Sequence, residues 1–353
     1  MLDTQTWPAV IGALLAREDL SVSDAAWAME QIVSGQTTQA QLAGFLIALD
    51  AKGETVDEIV GFRDAVLELA VPLPVNPMAL DIVGTGGDRH RTVNVSTSAA
   101  IVCAAAGVPV VKHGNRAASS ASGASDVLDA LGLNLTLSAE QVARVFDEVG
   151  IAFVFAALFH PGFKHAAVVR AELGVPTLFN FLGPMCNPAR PEASAVGVAR
   201  LDRVPLFTGL FQTRGATALV FRGDDGLDEL TTTGHSRVWE VSRGLVKEHD
   251  LDPRDLGIPR AKLSDLLGGS AEHNAAKLRG VLAGESGPVR DIVLLNAAAG
   301  LVSYRLAEDA SLAEQSILER FEEQLRVAEQ TVDSGAAEAK LDDWIAATNR
   351  AVN

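Results

Sequence analysis

Apolar residues in the N-terminal part of the chain recur at the three- and four-residue spacing of amphipathic helices. One helix is predicted over 23–34, with Ser23 as its cap. Capping boxes at 38–41 and 55–58 begin two further helices, because in each a threonine is followed three residues later by Gln or Glu. The segment VPLPVNP then excludes a continuing helix, so residues 1–72 are predicted to form a small helical domain.

After the proline-rich segment, short apolar runs alternate with glycine-rich loops and helical patterns. The predicted strands are Leu80–Val83, Val108–Val111, Ile151–Ala156, Ala193–Ala199 and Ala218–Phe221. The predicted helices are Ser96–Ala106, a short one near Asp126–Leu131, one that begins at the Ser138 cap, and the tail Leu312–Asn349. This alternation predicts an α/β domain with a largely parallel sheet over 73–353. Helices from about 160–190 are expected to join the N-terminal helical domain.

The composition narrows the classes of partner. The chain has 353 residues, 48% of them apolar, and a formal net charge of −16. The core is therefore large, and the excess of acid disfavours nucleic acid and anionic membranes as partners. Cys103 and Cys186 are too few for a disulfide framework or a zinc site and are expected to be packing residues. With no basic signal segment and no apolar run long enough to cross a bilayer, we expect a cytoplasmic protein.

Gly84–Asp88, with the sequence GTGGD, directly follows a predicted strand. Glycines at such a turn let backbone N–H groups approach a phosphate closely, although similar turns also occur in α/β proteins that bind no ligand there. A dinucleotide fingerprint is excluded because Arg89 stands where it requires glycine, and no Gly-Lys-Ser/Thr follows as in a Walker loop. The turn is therefore a candidate phosphate loop.

Two more segments share this predicted sheet edge. Asn94–Thr97 precedes a helix, where free N–H groups and the helix dipole attract anions, although Ser96 or Thr97 as a plain cap is the alternative. Lys112–Arg116 ends the next strand, where open α/β sheets bind their ligands. In this acidic chain the basic side chains are concentrated here rather than dispersed. They are Arg89, His90, Arg91, Lys112, His113 and Arg116.

The acidic run 224–229 follows a strand and has carboxylates suited to Mg²⁺, without the ligand spacing of a calcium loop. Alone it would be a solvated loop, but beside three phosphate-binding features a metal site is the better hypothesis. No nucleophile elbow or metalloprotease helix is present in the sequence. The residues thus indicate a Mg²⁺-assisted enzyme that acts on a phosphorylated, and by our interpretation pyrophosphorylated, substrate.

Together these motifs resemble those of the anthranilate phosphoribosyltransferases, enzymes of tryptophan biosynthesis with the nucleoside-phosphorylase-like phosphoribosyltransferase fold. The resemblance covers nearly the whole chain. It includes GTGGD, NVST, KHGNR, the SSASGASD loop, NFLGPMCNPARP and GDDGLDELT. It implies transfer of phosphoribosyl from phosphoribosyl pyrophosphate to the amine of anthranilate, a homodimer formed through the helical domain, and two Mg²⁺ ions per monomer.

The resemblance also implies roles for individual residues. Phosphoribosyl pyrophosphate would be held by Gly84, Gly87, Asp88, Thr92, Asn94, Val95, Ser96, Thr97, Lys112, His113, Gly114, Asn115, Arg116, Ala117, Ala118, Ser119, Ser120 and Ala124. Anthranilate would contact Gly84, Asn115, His160 and Arg170. Ser96 would bind one Mg²⁺, and Asp228 with Glu229 the second.

Two related functions are alternatives. A pyrimidine nucleoside phosphorylase shares the fold and a glycine loop but would not need Asp228 and Glu229 as a metal pair. A non-catalytic, nucleic-acid-binding paralogue would be expected to have a basic surface, which a pI of about 4.8 opposes. The chain departs from the family where Arg89 replaces a frequent glycine, and where Ala157 and Phe163 replace the usual proline and tyrosine. These departures concern the loop near pyrophosphate and the shape of the anthranilate tunnel.

Overall fold

The computed structural model describes residues 5–116 and 122–352. The N-terminal helices are α1 Trp7–Leu15, α2 Val22–Val33, α3 Gln39–Lys52 and α4 Val56–Glu68. The capping boxes of α3 and α4 are confirmed at Thr38 and Thr55. The predicted cap of α2 is wrong by two residues, because the Ser21 side chain accepts a hydrogen bond from the backbone N–H of Asp24 at 3.1 Å, whereas Ser23 lies inside the first turn.

One seven-stranded sheet forms the centre of the molecule, in the order β3-β2-β1-β4-β5-β6-β7. Its strands are β1 Leu80–Gly84, β2 Val110–Gly114, β3 Ile151–Phe155, β4 Ala193–Gly197, β5 Thr217–Gly223, β6 Ser236–Ser242 and β7 Leu245–Leu251. The first five are parallel, which confirms the predicted α/β class. The antiparallel hairpin β6–β7 was not predicted. Its outer strand, β7, is exposed and polar, so it lacks the apolar run that identified the parallel strands.

Helices cover both faces of the sheet. The remaining helices are α5 Val95–Ala105, α6 Ala124–Ala130, α7 Ala139–Val149, α8 Ala156–Phe159, α9 Lys164–Leu173, α10 Val204–Arg214, α11 Ala271–Leu282, α12 Pro288–Glu308, α13 Ile317–Asp333 and α14 Ala336–Arg350. On β4 the buried Ala195 packs with α5, α12 and the C-terminal helices, while Val196 faces α10 and the N-terminal helices.

The two sides of the sheet hold separate apolar clusters. Residues of 160–190, among them Ala166, Leu178 and Leu182, belong to the same cluster as the N-terminal helices. Cys103 and Cys186 are both free and buried, one in each cluster, as expected of packing residues. None of the helices in the described part of the chain combines the length and the apolar character that a bilayer crossing requires.

Candidate active site

A cavity of about 340 Å³ opens where β1 and β2 end. Its wall gathers the predicted ligands that the structure describes, with one exception. They are Gly84, Gly87, Asp88, Thr92, Asn94, Val95, Ser96, Thr97, Lys112, His113, Gly114, Asn115, Arg116, Ala124, Arg170, Asp228 and Glu229. The exception is His160, which is buried outside this wall. Ala117, Ala118, Ser119 and Ser120 lie outside the described residues.

The glycine loop after β1 is bonded to the acidic loop after β5. Gly86 and Gly87 have φ of 70° and 88°, a conformation that glycine adopts without strain. The Gly86 N–H donates to Asp228 Oδ2 at 2.6 Å. Gly84 leaves no room for a side chain, because a Cβ there would overlap the Asp228 carboxylate. Glycine at position 84 therefore allows the backbone to approach the Asp228 carboxylate as well as a bound ligand.

The first turn of α5 faces the same cavity. Asn94 is its N-cap residue, so the plain capping role considered for Ser96 or Thr97 is excluded. The Asn94 side chain does not cap the helix. Its amide donates to the Ser122 carbonyl and accepts from Asn274, which ties α5 to neighbouring loops. Burial raises the pKa of Glu229, and the Ser96 backbone N–H beside it lowers that pKa by a smaller amount.

The expectation of a basic cluster at the end of β2 is wrong for His113 and needs correction for Lys112. Both are buried in the strand rather than on a loop. Lys112 Nζ donates to the Ile82 carbonyl at 2.6 Å and to Ser96 Oγ at 3.3 Å. Burial lowers the pKa of Lys112, against attraction to Asp81 and Glu229. Burial also lowers the pKa of His113 to about 3, so His113 is neutral and its Nδ1 donates to the Gly183 carbonyl.

Two adjacent carboxylates, Asp228 and Glu229, are buried at the base of the cavity. Burial, with the neighbouring Asp88 charge, raises the pKa of Asp228 to about 7. Burial and Asp228 raise the pKa of Glu229 well above its usual value. Buried carboxylates that repel one another form a donor set suited to a divalent cation, which would offset their charge.

Asp225, in the same acidic run, has a structural role. Asp225 Oδ2 accepts hydrogen bonds from the Thr231 and Thr233 hydroxyls at 2.6 and 2.5 Å. The described residues contain no group of three or more His, Cys, Asp or Glu side chains placed to enclose a metal. Mg²⁺ needs no such enclosure, since it retains several waters and takes further oxygens from phosphates. The residues present therefore fit Mg²⁺.

The opposite side of the cavity is aromatic. The guanidinium carbon of Arg170 lies 5.3 Å from the ring centre of Phe179, and Phe163 contacts Phe179 edge to face. The described residues place no carboxylate in an ion pair with Arg170, and burial lowers the pKa of this guanidinium, which remains charged. A cation beside aromatic rings is suited to an aromatic carboxylate.

His160 lies behind this wall. Its ring stacks on Phe163 with 5.1 Å between centres and meets the His113 ring edge to face at the same separation. His160 thus supports two wall residues rather than lining the cavity itself.

The chain is similar to known protein families over both parts of its fold. The profile described as "Glycosyl transferase family, helical bundle domain" matches residues 8–70, and "Glycosyl transferase family, a/b domain" matches 76–338. Anthranilate phosphoribosyltransferase from Leifsonia xyli subsp. xyli is 71% identical over 348 residues, which are 99% of this chain and 100% of the relative.

Two solved structures share the fold. Anthranilate phosphoribosyltransferase from Thermus thermophilus has a TM-score of 0.88 and 39% identity, covering 96% of this chain and 99% of that one. The Saccharomyces cerevisiae enzyme in complex with PRPP and Mg has a TM-score of 0.87 and 29% identity, covering 98% of both chains. The chain belongs to the anthranilate phosphoribosyltransferase family.

Some residues that line the cavity were not assigned a role from the sequence. Phe179, Asn180, Gly183 and Pro184 line the cavity, and the last three belong to the motif NFLGP that was part of the resemblance. Asn296 was likewise assigned no role from the sequence. It is buried, and its amide both accepts from the Leu230 N–H and donates to the Leu230 carbonyl, each at 2.9 Å, which holds the loop after Glu229. A polar residue inside an apolar helix pattern was the available clue.

The buried imidazoles are predicted to oppose folding in mild acid. Burial lowers the pKa of His160 to about 4 and that of His113 to about 3. Between those values and about 6.5 each imidazole binds more protons in the unfolded chain than in the folded one, so its contribution to the free energy of unfolding falls as the pH decreases, by at most ~1.4 kcal/mol per pH unit. The buried carboxyls Asp81, Asp228 and Glu229, whose pKa values are raised, contribute with the opposite sign, so the test compares two variants rather than one protein at two pH values. In urea titrations at pH 7 and pH 5, the change of the free energy of unfolding on acidification should be more favourable for His160→Gln than for the unsubstituted protein, and equal changes would contradict a neutral, buried His160.

Proposed function

We propose that this chain transfers phosphoribosyl from phosphoribosyl pyrophosphate to the amine of anthranilate and releases pyrophosphate, as a step of tryptophan biosynthesis. The observation that carries the proposal is the convergence of three features in one cavity: a glycine loop, a helix N-terminus and the buried pair Asp228 and Glu229. Neither a nucleoside phosphorylase nor a nucleic-acid-binding paralogue is favoured by the comparisons.

The chemistry needs little proton transfer from the protein. The aromatic amine of anthranilate is neutral near pH 7 and already nucleophilic, so the reaction requires no strong general base from the wall. The barrier lies in separating the anomeric carbon from pyrophosphate through an oxocarbenium-like transition state. Loop N–H groups and the α5 N-terminus stabilise the departing negative charge, and the walls position the two substrates.

The metal part of the proposal is two Mg²⁺ ions per monomer. Ser96 would hold one, and Asp228 with Glu229 the other, as the buried, mutually repelling carboxylates suggest. Bound Mg²⁺ supplies positive charge to the phosphate oxygens of the leaving group. The protein residues hold the site in shape, since Asp228 is bonded to Gly86 and the following loop to Asn296.

Anthranilate is assigned to the aromatic side of the cavity. Arg170 would bind its carboxylate, and Gly84 and Asn115 would lie near its amine, while His160 would act through Phe163. The remaining predicted residues are assigned to phosphoribosyl pyrophosphate. Among them, Lys112 would act through its hydrogen bond to Ser96 Oγ rather than as a free cation.

Arg170→Ala is expected to raise the KM for anthranilate by about tenfold or more, because a charge-assisted, bidentate contact to its carboxylate is lost. The affinity for phosphoribosyl pyrophosphate, measured by calorimetry, should change little. If both substrates weaken alike, Arg170 is structural. Arg237→Ala is a matched control, since Arg237 also lies over an aromatic ring but on the β6–β7 hairpin.

The organisation of the molecule is also part of the proposal. We infer a helical domain of residues 1–72 joined by the helices of about 160–190, an α/β domain of 73–353, and a homodimer formed through the helical domain. Leu15 on α1 and Ile47 on α3 are apolar and exposed, at 72% and 45%, and such a contact would cover apolar side chains of this kind. Light scattering should give twice the mass of one chain, and Ile47→Lys should lower it. A monomer at all concentrations would refute the dimer.

We also propose the partners and the cellular compartment of the protein. The substrates are small molecules, and a net charge of −16 opposes nucleic acid as a partner. Two buried free cysteines are consistent with a reducing compartment such as the cytoplasm.

The decisive experiment follows anthranilate fluorescence after mixing with phosphoribosyl pyrophosphate, Mg²⁺ and the protein. The expected result is a loss of fluorescence that requires all three partners. Unchanged fluorescence, with the protein folded by circular dichroism, would reject the assigned reaction.

A further inference from the structure

Two arginines directly after the glycine loop have a backbone conformation that normally favours glycine. Arg89 has φ of 64° and Arg91 has φ of 56°, both in the left-handed region. Other members of the anthranilate phosphoribosyltransferase family frequently have glycine at the position of Arg89. Glycine would adopt this conformation without strain. The presence of arginine in the cavity wall, despite the strain, therefore points to a function of its side chain.

Both residues line the cavity, as Asp88 does, and both are exposed. Within the ranges 5–116 and 122–352, neither takes part in an ion pair. The other cations of the phosphate side are already engaged. Arg116 pairs with Asp126 at 3.2 Å, and Lys112 is buried and bonded to Ile82 and Ser96.

The loop that carries the two arginines is held on both sides. The His90 backbone N–H donates to Asp88 Oδ1, and the His90 ring Nε2 lies 3.1 Å from the Asp225 carbonyl. The Arg91 carbonyl accepts from the Gly268 N–H at 2.8 Å. These bonds fix the points at which the side chains of Arg89 and Arg91 leave the backbone.

The negative charge of the cavity wall and of a bound pyrophosphate group suggests a role for Arg89 and Arg91. A pyrophosphate group carries several negative charges, whereas the same wall contains the carboxylates of Asp88, Asp228 and Glu229. We propose that Arg89 and Arg91 bind the pyrophosphate oxygens of the substrate and of the released product directly, in addition to the metal. Their planar, five-donor guanidinium groups match phosphate oxygens. This inference rests on the proposed function for the identity of the ligand.

The test titrates Mg²⁺-pyrophosphate into four proteins by calorimetry. They are the unsubstituted chain, Arg89→Gly with Arg91→Gly, Arg89→Lys with Arg91→Lys, and Arg243→Gly. The glycine pair should bind about tenfold more weakly, the loss expected for contacts to a charged ligand. Arg243 is the matched control, since it has φ of 51° but lies exposed in the β6–β7 turn. Arg243→Gly should bind as tightly as the unsubstituted chain.

Kinetics and stability complete the design. For the glycine pair, the KM for phosphoribosyl pyrophosphate should rise by a similar factor while the KM for anthranilate stays unchanged. Its thermal unfolding midpoint should not fall, because glycine relieves the left-handed strain, so weaker binding cannot be attributed to unfolding. The lysine pair, which keeps the charge, should bind more tightly than the glycine pair.

Three results would overturn the inference: equal pyrophosphate affinity of the glycine pair and the unsubstituted chain, an equal loss in Arg243→Gly, or equal affinities of the lysine and glycine pairs. Each of these results is distinguishable from failure of the proposed function, because if the proposed function fails, the unsubstituted protein itself does not consume anthranilate.

Discussion

Replacing Asp228 by Asn together with Glu229 by Gln is expected to raise the Mg²⁺ concentration needed for half-maximal activity by about a hundredfold or more, since even residues that only support metal ligands contribute roughly 10–100-fold. The amides keep the shape of the side chains but lose the charge that attracts the cation. The KM for anthranilate, which binds at the Arg170 side of the cavity, should change far less. Initial rates measured over a range of Mg²⁺ concentrations at fixed substrates provide the measurement.

Asp224→Asn is the matched control for this pair. Asp224 belongs to the same acidic loop but is exposed and outside the cavity wall. Its loss should leave the Mg²⁺ dependence unchanged. The double variant should also be no less stable than the unsubstituted, metal-free protein, because burial and mutual repulsion already disfavour the charged forms of these two carboxyls and raise their pKa values. An unaltered Mg²⁺ dependence in the double variant would exclude these carboxylates as metal ligands.

Gly84→Ala should reduce kcat/KM by about a hundredfold, the effect of displacing a catalytic group by roughly 1 Å. The added methyl would overlap Asp228 Oδ2 and lie 3.0 Å from Asp228 Cγ, so the carboxylate must move from the position in which it accepts from Gly86. Steady-state rates at saturating Mg²⁺, with circular dichroism to verify folding, provide the measurement.

Gly183→Ala is the control for that substitution. Gly183 also lines the cavity, has no positive φ, and a Cβ there would meet nothing within 4 Å. Its kcat/KM should fall far less than that of Gly84→Ala, because no neighbouring protein group has to move to admit the methyl. Should Gly84→Ala retain as much activity as Gly183→Ala, close approach of Asp228 to the glycine loop would be irrelevant to the reaction.

The parts of the fold that were predictable from the sequence depend on local physics. Thr38 and Thr55 begin helices because a side-chain oxygen and a residue three positions later satisfy the free N–H groups of one turn. The parallel strands were visible because both of their faces are buried, which requires runs of apolar residues. The strand β7 contains exposed Lys247 and Glu248, and pairing with β6 decides its conformation, so no local pattern identified it.

The candidate site was predictable where function imposes a residue type on a strand end, as at the glycine loop and Lys112. Protonation was not predictable from residue type. His113 was counted as a cation, but its neutrality results from burial between His160 and Gly183, which come from distant segments. The support that Asn296 gives to the acidic loop likewise exists only after α12 has packed against the sheet.

The hydrogen bond between Gly86 and Asp228 joins positions 142 residues apart. Its formation requires β1, β4 and β5 to be assembled side by side, and closing so long a segment of chain is entropically costly and slow. The catalytic cavity is therefore expected to be among the last features to form during folding. A nascent chain that has already emerged with its glycine loop and α5 intact would not yet bind phosphoribosyl pyrophosphate with Mg²⁺. The ability to bind substrate should thus appear only once β1, β4 and β5 have paired, and substrate affinity can serve as a kinetic marker for that late step of folding.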